Sequence, residues 1–311
     1  MERIELFFDS WEFFRDAALG SGIAGALLGA LGVYILLGRL VFMSVTTAQV
    51  SSAGVALSFW LPALTGTAAV AHEHAGHVHC NVAEHAESPV ISALLSPAVF
   101  SILFTISVMA LANVAMRRSR SPEAVLAVLY LSGAAATVLI GTQIVHEIQD
   151  VQQLLIGNAV LVAHEDFIGL GVISALMLAM FSFGHRGFEA AAFWPQTASV
   201  AGIPVGVLNM VRLIALTVAI AYTTRVMGAL PVFAFSCLPA LAARAFSPNL
   251  RVMFFAALGI GACAGMLGYL AAFVFDLPVG PVQTGVALVF VFISVFISSA
   301  IKRIKEEEAI S

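Results

Sequence analysis

Five of the chain's eight histidines fall in one short stretch, AHEHAGHVHCNVAEH. His72, His74, His77, His79 and His85 cluster there with Glu73, Glu84 and Cys80. A neutral imidazole, with an unperturbed pKa of about 6.5, is the commonest protein ligand for zinc near neutral pH. Three or four such nitrogens satisfy a tetrahedral ion. The spacing His-x-His-x2-His-x-His suits a flexible chelator better than a rigid site, and imidazole binds nickel or copper as well. The stretch reads as a metal collector at an entrance; the plainer alternative is a solvated loop whose histidines do nothing. A second polar stretch holds His146, Glu147, Asp150, His164, Glu165 and Asp166. It could attract cations or dock a partner, or be an ordinary charged loop.

These polar stretches interrupt a very apolar chain. Of 311 residues, 60% are hydrophobic and 10% charged, with mean hydropathy +1.00. A soluble domain carries about 25% charge. The expected fold class is an all-α polytopic membrane protein with about nine transmembrane helices of ~20 residues each. The net charge of −4 gives no reason to expect a nucleic-acid partner. The two lysines, Lys302 and Lys305, follow no glycine-rich loop, so there is no Walker-type nucleotide site. The chain is therefore not expected to be an enzyme, and no permanently bound cofactor is expected. Three scattered cysteines, Cys80, Cys237 and Cys263, make no disulfide framework.

The expected organisation is an acidic amphipathic segment at 1–16, lying at an interface, then a membrane domain over 17–301 and a charged tail at 302–311. Spans are expected at about 17–38, 40–64, 91–115, 123–145, 167–184, 203–222, 225–246, 251–275 and 281–301. Gly22, Gly25, Gly29 and Gly32 permit close helix approach in the first, and Gly261 and Gly265 read as packing in the eighth. The histidine-rich loop is 65–90, and 187–202 is a connecting segment. With the N-terminus outside, ten of fourteen basic residues face the cytoplasm: Arg39, Arg117, Arg118, Arg120, Arg186, Arg244, Arg251, Lys302, Arg303 and Lys305. The histidines are then extracytoplasmic and the C-terminus is cytoplasmic, in a bacterial inner membrane.

Polar residues inside the spans are the candidates for a transport path. Ser44, Thr47 and Ser51 share one face of the second span, and Gln49 and Ser52 share another. Thr46, Gln49, Ser52, Ser236 and Cys237 are the expected path residues; interhelical bonding is the alternative. Ser236 and Cys237 belong to RVMGALPVFAFSCLPALAARAF, residues 225–246, where Pro231 and Pro239 each remove a backbone donor. The expectation is a helix broken at these prolines, as in many transport sites. Arg212, near the middle of the sixth span, is expected to pair with a carbonyl or an acid.

Several of these pieces together resemble the permeases of metal-importing ABC systems for zinc, manganese and iron. GRLVFMSVTTAQVSSAGVALSF is similar to the family's second-helix segment, and LLIGNAVLVAHEDF to an outer-loop motif. FWPQTASVAG resembles a cytoplasmic segment, with Phe193, Pro195, Ala198 and Gly202 retained. Leu-Pro-Ala-x-Ala-Ala-Arg and DLPVGP complete the order. The resemblance implies a fold like that of the cobalamin-importing (type II) permeases, working as a homodimer in membrane lipid. It implies separate ABC ATPase subunits docked on 187–202 and an extracytoplasmic metal-binding protein delivering the substrate. Zinc, or another divalent metal, is the implied cargo; a metal chelate or small organic solute on the same scaffold, a stand-alone carrier, or a metal sensor are the alternatives. Two pairs of positions depart from the family pattern. Val45 and Gln49 stand where an aspartate and a histidine are usual, and Trp194 and Gln196 replace an acidic pair.

Overall fold

The computed structural model describes residues 11–38, 40–65, 97–143, 162–193, 195–247 and 249–310. Among them every regular element is an α-helix: α1 Trp11–Leu37, α2 Val41–Thr65, α3 Pro97–Arg118, α4 Pro122–Gln143, α5 His164–Phe183, α6 His185–Phe193, α7 Pro195–Val200, α8 Val205–Met227, α9 Ala229–Phe246, α10 Leu250–Phe275 and α11 Val279–Ile310. Nine of these are long and apolar enough to cross a membrane; α6 and α7 are the exceptions. The multi-pass, all-helical architecture expected from composition is the one found. In lipid, a helix meets its own backbone hydrogen bonds, which is why this sequence folds this way.

The bundle is layered. Most of the spanning residues of α1, α2 and α9 are buried, whereas α3, α4, α5 and α11 bury fewer than a quarter of theirs. The central helix α1 is contacted by α9 and by α10, its most extensive partner. Lipid tails are as apolar as leucine, so association depends on close backbone approach rather than on apolar burial. The glycines of α1 supply that approach. A Cβ on Gly25 would enter the carbonyl of Gly261 on α10, and one on Gly32 would enter the carbonyl of Ser236 on α9. On the α10 side, Gly261 and Gly265 meet Gly25 and Ser21, so this pair packs helices as expected.

Helix ends follow local chemistry. The Asn249 side chain accepts from the Arg251 amide and starts α10. Asp276, at φ 56°, ends it in the left-handed conformation that opens the DLPVGP turn. Residues 11–16, expected at the interface, form the first turns of the continuous helix α1, and residues 1–10 lie outside the described residues.

The stretch 225–246 corrects an expectation. Its break is at Gly228, φ 87°, and not at the prolines. Pro231 occupies the first turn of α9, where a backbone N–H has no intrahelical partner to lose. Pro239 sits within a helix that continues to Phe246. Gly29 of α1 faces its ring: a Cβ there would lie 3.2 Å from the Pro239 Cβ.

Two sets of polar contacts identify the ends of the bundle. At one end Arg251 bonds to His185, and Ser298 donates to the carbonyl of Ala245. The exposed Arg186 and Arg244 lie at this end too. At the other, His164 Nδ1 lies 2.8 Å from Asp16 Oδ2, and Arg225 pairs with Asp166 at 3.2 Å.

Candidate transport pathway

The second helix carries most of the buried polar side chains, so the site is built from α2 outward. Thr46, Thr47, Ser51 and Ser52 are all at most 1% exposed. A hydroxyl in an apolar bundle costs free energy unless it is bonded, and each bond shows which neighbour that side chain serves. Ser44 Oγ donates to the Val41 carbonyl at 2.8 Å and accepts from Ser236 Oγ of α9 at 3.1 Å. Thr47 donates back to Met43. Ser51 donates to the Ala221 carbonyl of α8 at 3.1 Å. This face is interhelical bonding.

Thr46 points elsewhere. Its hydroxyl lies 2.9 Å from the Phe42 carbonyl and 3.2 Å from the Leu126 carbonyl of α4. At 100° per residue, Thr46 stands nearly opposite Ser44 on the helix. The five expected path residues therefore do not converge on one point. Ser236 joins Ser44 and lies 3.6 Å from Cys237 Sγ, whereas Thr46 serves the α2–α4 contact. Ser44, which is not among the five, is the interhelical partner of Ser236.

Between these two faces lie Gln49 and Ser52, one turn apart. Gln49 Oε1 and Ser52 Oγ are buried and make no hydrogen bond. The Gln49 backbone is covered closely by Gly133 of α4, where a Cβ would approach it to 3.1 Å. These two oxygens are neutral donors, suited by type to hard cations rather than to soft ones. Among the described residues, no three or more His, Cys, Asp or Glu side chains are grouped so as to hold a metal ion.

Other expected residues are placed as follows. His72, His74, His77, His79 and His85 lie outside the described residues, as do His146, Glu147 and Asp150. His164, Glu165 and Asp166 form the first turn of α5, where acidic side chains favour the helix dipole. His164 and Asp166 tie α5 to α1 and α8, helped by the Tyr222 hydroxyl donating to the Asp166 carbonyl at 3.3 Å. Arg212 departs from its expected pairing: its Nη1 is buried without a hydrogen-bond partner, as is Asn209 Oδ1 one turn earlier.

The connecting segment folds as α6 and α7, joined at Trp194, which lies outside the described residues. Phe193 ends α6 and Pro195 begins α7. Ala198 is buried, at 4% exposure, while Gln196, Thr197 and Ser199 are exposed. Gly202, at φ 79°, turns the chain toward α8. The result is a compact helical corner at the end of the bundle that holds His185 and Arg251.

The family model for the ABC 3 transport family matches residues 10–298. The chain belongs to the ABC 3 transport family. The resemblance to metal-importing ABC permeases read from the sequence is thereby shown. A probable metal transport system membrane protein of Chlamydia muridarum is 24% identical over 266 residues, 86% of this chain and 81% of the relative. The manganese import system permease protein ScaB of Streptococcus parasanguinis is 23% identical over 304 residues, 97% and 95% of the two chains. The solved structure of PsaBC from Streptococcus pneumoniae, in complex with Fab, superposes with TM-score 0.75 at 20% identity over 94% of each chain. At such identity the superposition speaks to fold alone, and the fold is the type II importer permease. As an ABC 3 family member the chain is a permease component of a transport system. Its corner α6–α7 stands where the resemblance puts the coupling segment.

Proposed function

We propose that this chain is the permease subunit of an ATP-driven importer of a divalent first-row metal ion. The observation that carries the reading is the family match across nearly the whole membrane domain. Relatives over most of this length are named for manganese import or metal transport, and a shorter match, to a Haemophilus influenzae protein, for iron transport. The chain has no nucleotide-binding motif, so a separate cytoplasmic ATPase supplies the energy, docking on the α6–α7 corner. A binding protein delivers metal at the opposite face. The exposed flanks of α3, α4, α5 and α11 leave room for lipid and for a second copy in a homodimer. The basic end faces the cytoplasm, and with nine crossings the N-terminus lies outside.

The metal's route runs along α2 by way of Gln49 and Ser52, whose oxygens are buried and unbonded. The carboxylate and imidazole usual in the family are replaced by Val45 and Gln49. The ion would pass on neutral oxygens and bound water. Among metals, the histidine-rich segment supports zinc, because imidazole binds zinc more tightly than manganese. The relatives' names support manganese and iron. Uptake of each metal in competition with the others decides among them.

A second reading keeps the scaffold and changes the cargo to a metal chelate. The Arg212 Nη1, buried without a hydrogen-bond partner among the described residues, favours it, since a guanidinium suits an anionic chelate and repels a bare cation. Uptake assays with free metal and with its chelates, on wild type and Arg212→Gln, separate the two. Loss of chelate uptake alone supports the second reading.

A further inference from the structure

At the basic end of the bundle α5 and α10 leave a cavity of about 210 Å³ between them. Its walls are Tyr34, Phe181, Phe254, Phe255 and Leu250; Ser182, His185 and Arg251 stand at its mouth. Tyr34 and Phe181 are buried, but Phe255 is 61% exposed, and Phe183 next to the mouth is 90% exposed. The cavity thus opens sideways among residues of the membrane-facing surface, where its neighbour is lipid.

The mouth presents a held guanidinium. His185 Nδ1 lies 3.1 Å from the Ser182 carbonyl, and Arg251 Nε lies 2.9 Å from His185 Nε2. A carbonyl only accepts, so Nδ1 carries the proton. An arginine Nε only donates, so Nε2 accepts. Both bonds are satisfied together by one neutral tautomer. The imidazole thereby fixes the Nε edge of Arg251 and does not engage its two Nη groups. Arg251 forms no ion pair with a described carboxylate, and Arg186 and Arg244 at the same end add positive charge.

We propose that this cleft is a site for one anionic phospholipid. Its phosphate oxygens accept from the Nη groups of Arg251, a geometry that guanidinium matches better than ammonium does. Its acyl chain lies against Phe254, Phe255 and Leu250. Basic pockets between helices at the cytoplasmic interface select anionic headgroups in this way. The lipid bridges α5 and α10, beside the His185–Arg251 bond that ties the start of α6 to α10, and so braces the corner from which α6 departs. His185 is a positioning residue that acts through Arg251.

The test is native mass spectrometry of the full chain in detergent, titrated with phosphatidylglycerol, with phosphatidylcholine of the same acyl chains, and with glycerol phosphate. Wild type should prefer phosphatidylglycerol about tenfold. Arg251→Gln should bring that preference close to unity, while Arg118→Gln, which removes an exposed charge that does not line the cleft, should leave it. Arg251→Lys should keep part of it. His185→Phe, which removes the acceptor for the Arg251 Nε, should weaken the preference, and His185→Gln, whose amide oxygen can accept from it, should keep part of it. An unchanged preference in Arg251→Gln, an equal loss in Arg118→Gln, or displacement by glycerol phosphate would each overturn the proposal. If Arg251→Gln does not fold, Phe255→Glu decides: retained phosphatidylglycerol preference beside that carboxylate also overturns it.

Discussion

Replacing Gln49 by Leu separates a path residue from a packing residue. In the structure the Gln49 Oε1 is buried and accepts nothing. A buried polar atom left unbonded costs about 1–3 kcal/mol. Leucine has a similar volume, though it is one bond shorter, and no such atom, so the substitution removes the cost. Part of the side chain is accessible, which places the expected gain near the low end, about 1 kcal/mol. Thermal unfolding of the purified variant should therefore rise by a few degrees. If the same oxygen lines the metal's route, the maximal rate of uptake should fall together with that gain. Ser44→Ala is the counterpart: it breaks the bond to Ser236 and should lower stability by about 1 kcal/mol, with the maximal rate intact. The assay is unfolding in detergent beside uptake at saturating metal. A destabilised Gln49→Leu with full transport would refute the assignment and make Gln49 a packing residue.

Gly261→Leu should be far more damaging, because any side chain there enters the backbone of α1. The α1–α10 crossing must part, and loss of folded protein in size-exclusion chromatography is expected; even Gly261→Ala should cost about 1–3 kcal/mol. Changing His72, His74, His77 and His79 together to Ser should slow uptake at scarce metal and leave the maximal rate nearly intact, as read from uptake against free zinc. In wild type that advantage should fade as pH drops through about 6.5, where imidazole gains its proton and can no longer bind metal. Ala198→Glu, by placing a charge at a buried position of α7, should destabilise the α6–α7 corner as well as weaken co-purification of the ATPase, whereas Thr197→Glu, at an exposed position of the same helix, should weaken co-purification while the bundle's unfolding temperature holds.

The number of spans and most of their limits were legible because hydropathy over ~20 residues is set by the bilayer. The glycine pattern of α1 was legible for a similar reason: small residues at helical spacing have few uses other than close packing. The misreading of 225–246 came from treating every proline as a break. Position within the helix decides that, and Pro231 falls in the first turn. The candidate path was less legible. Which face of α2 meets α9, and which meets α4, depends on contacts between residues far apart in sequence, such as Ser44 with Ser236 and Thr46 with Leu126. Nothing local to either segment encodes them. The ties of Asp16 to His164 and Asp166 to Arg225 had a weak signal, namely opposite charges at the ends of apolar spans. The His185–Arg251 bond had less, since two cationic residue types give no reason to expect a contact.

On the proposed function, this chain moves a divalent metal only when an ATPase drives it. The most direct test of this is accumulation of radiolabelled manganese, iron and zinc in vesicles holding the permease, its partner ATPase and its binding protein. At least one of these metals should accumulate in a way that requires ATP and stops when an ATPase-dead partner is substituted. Accumulation by the permease alone, driven by an ion gradient without ATP, would contradict it.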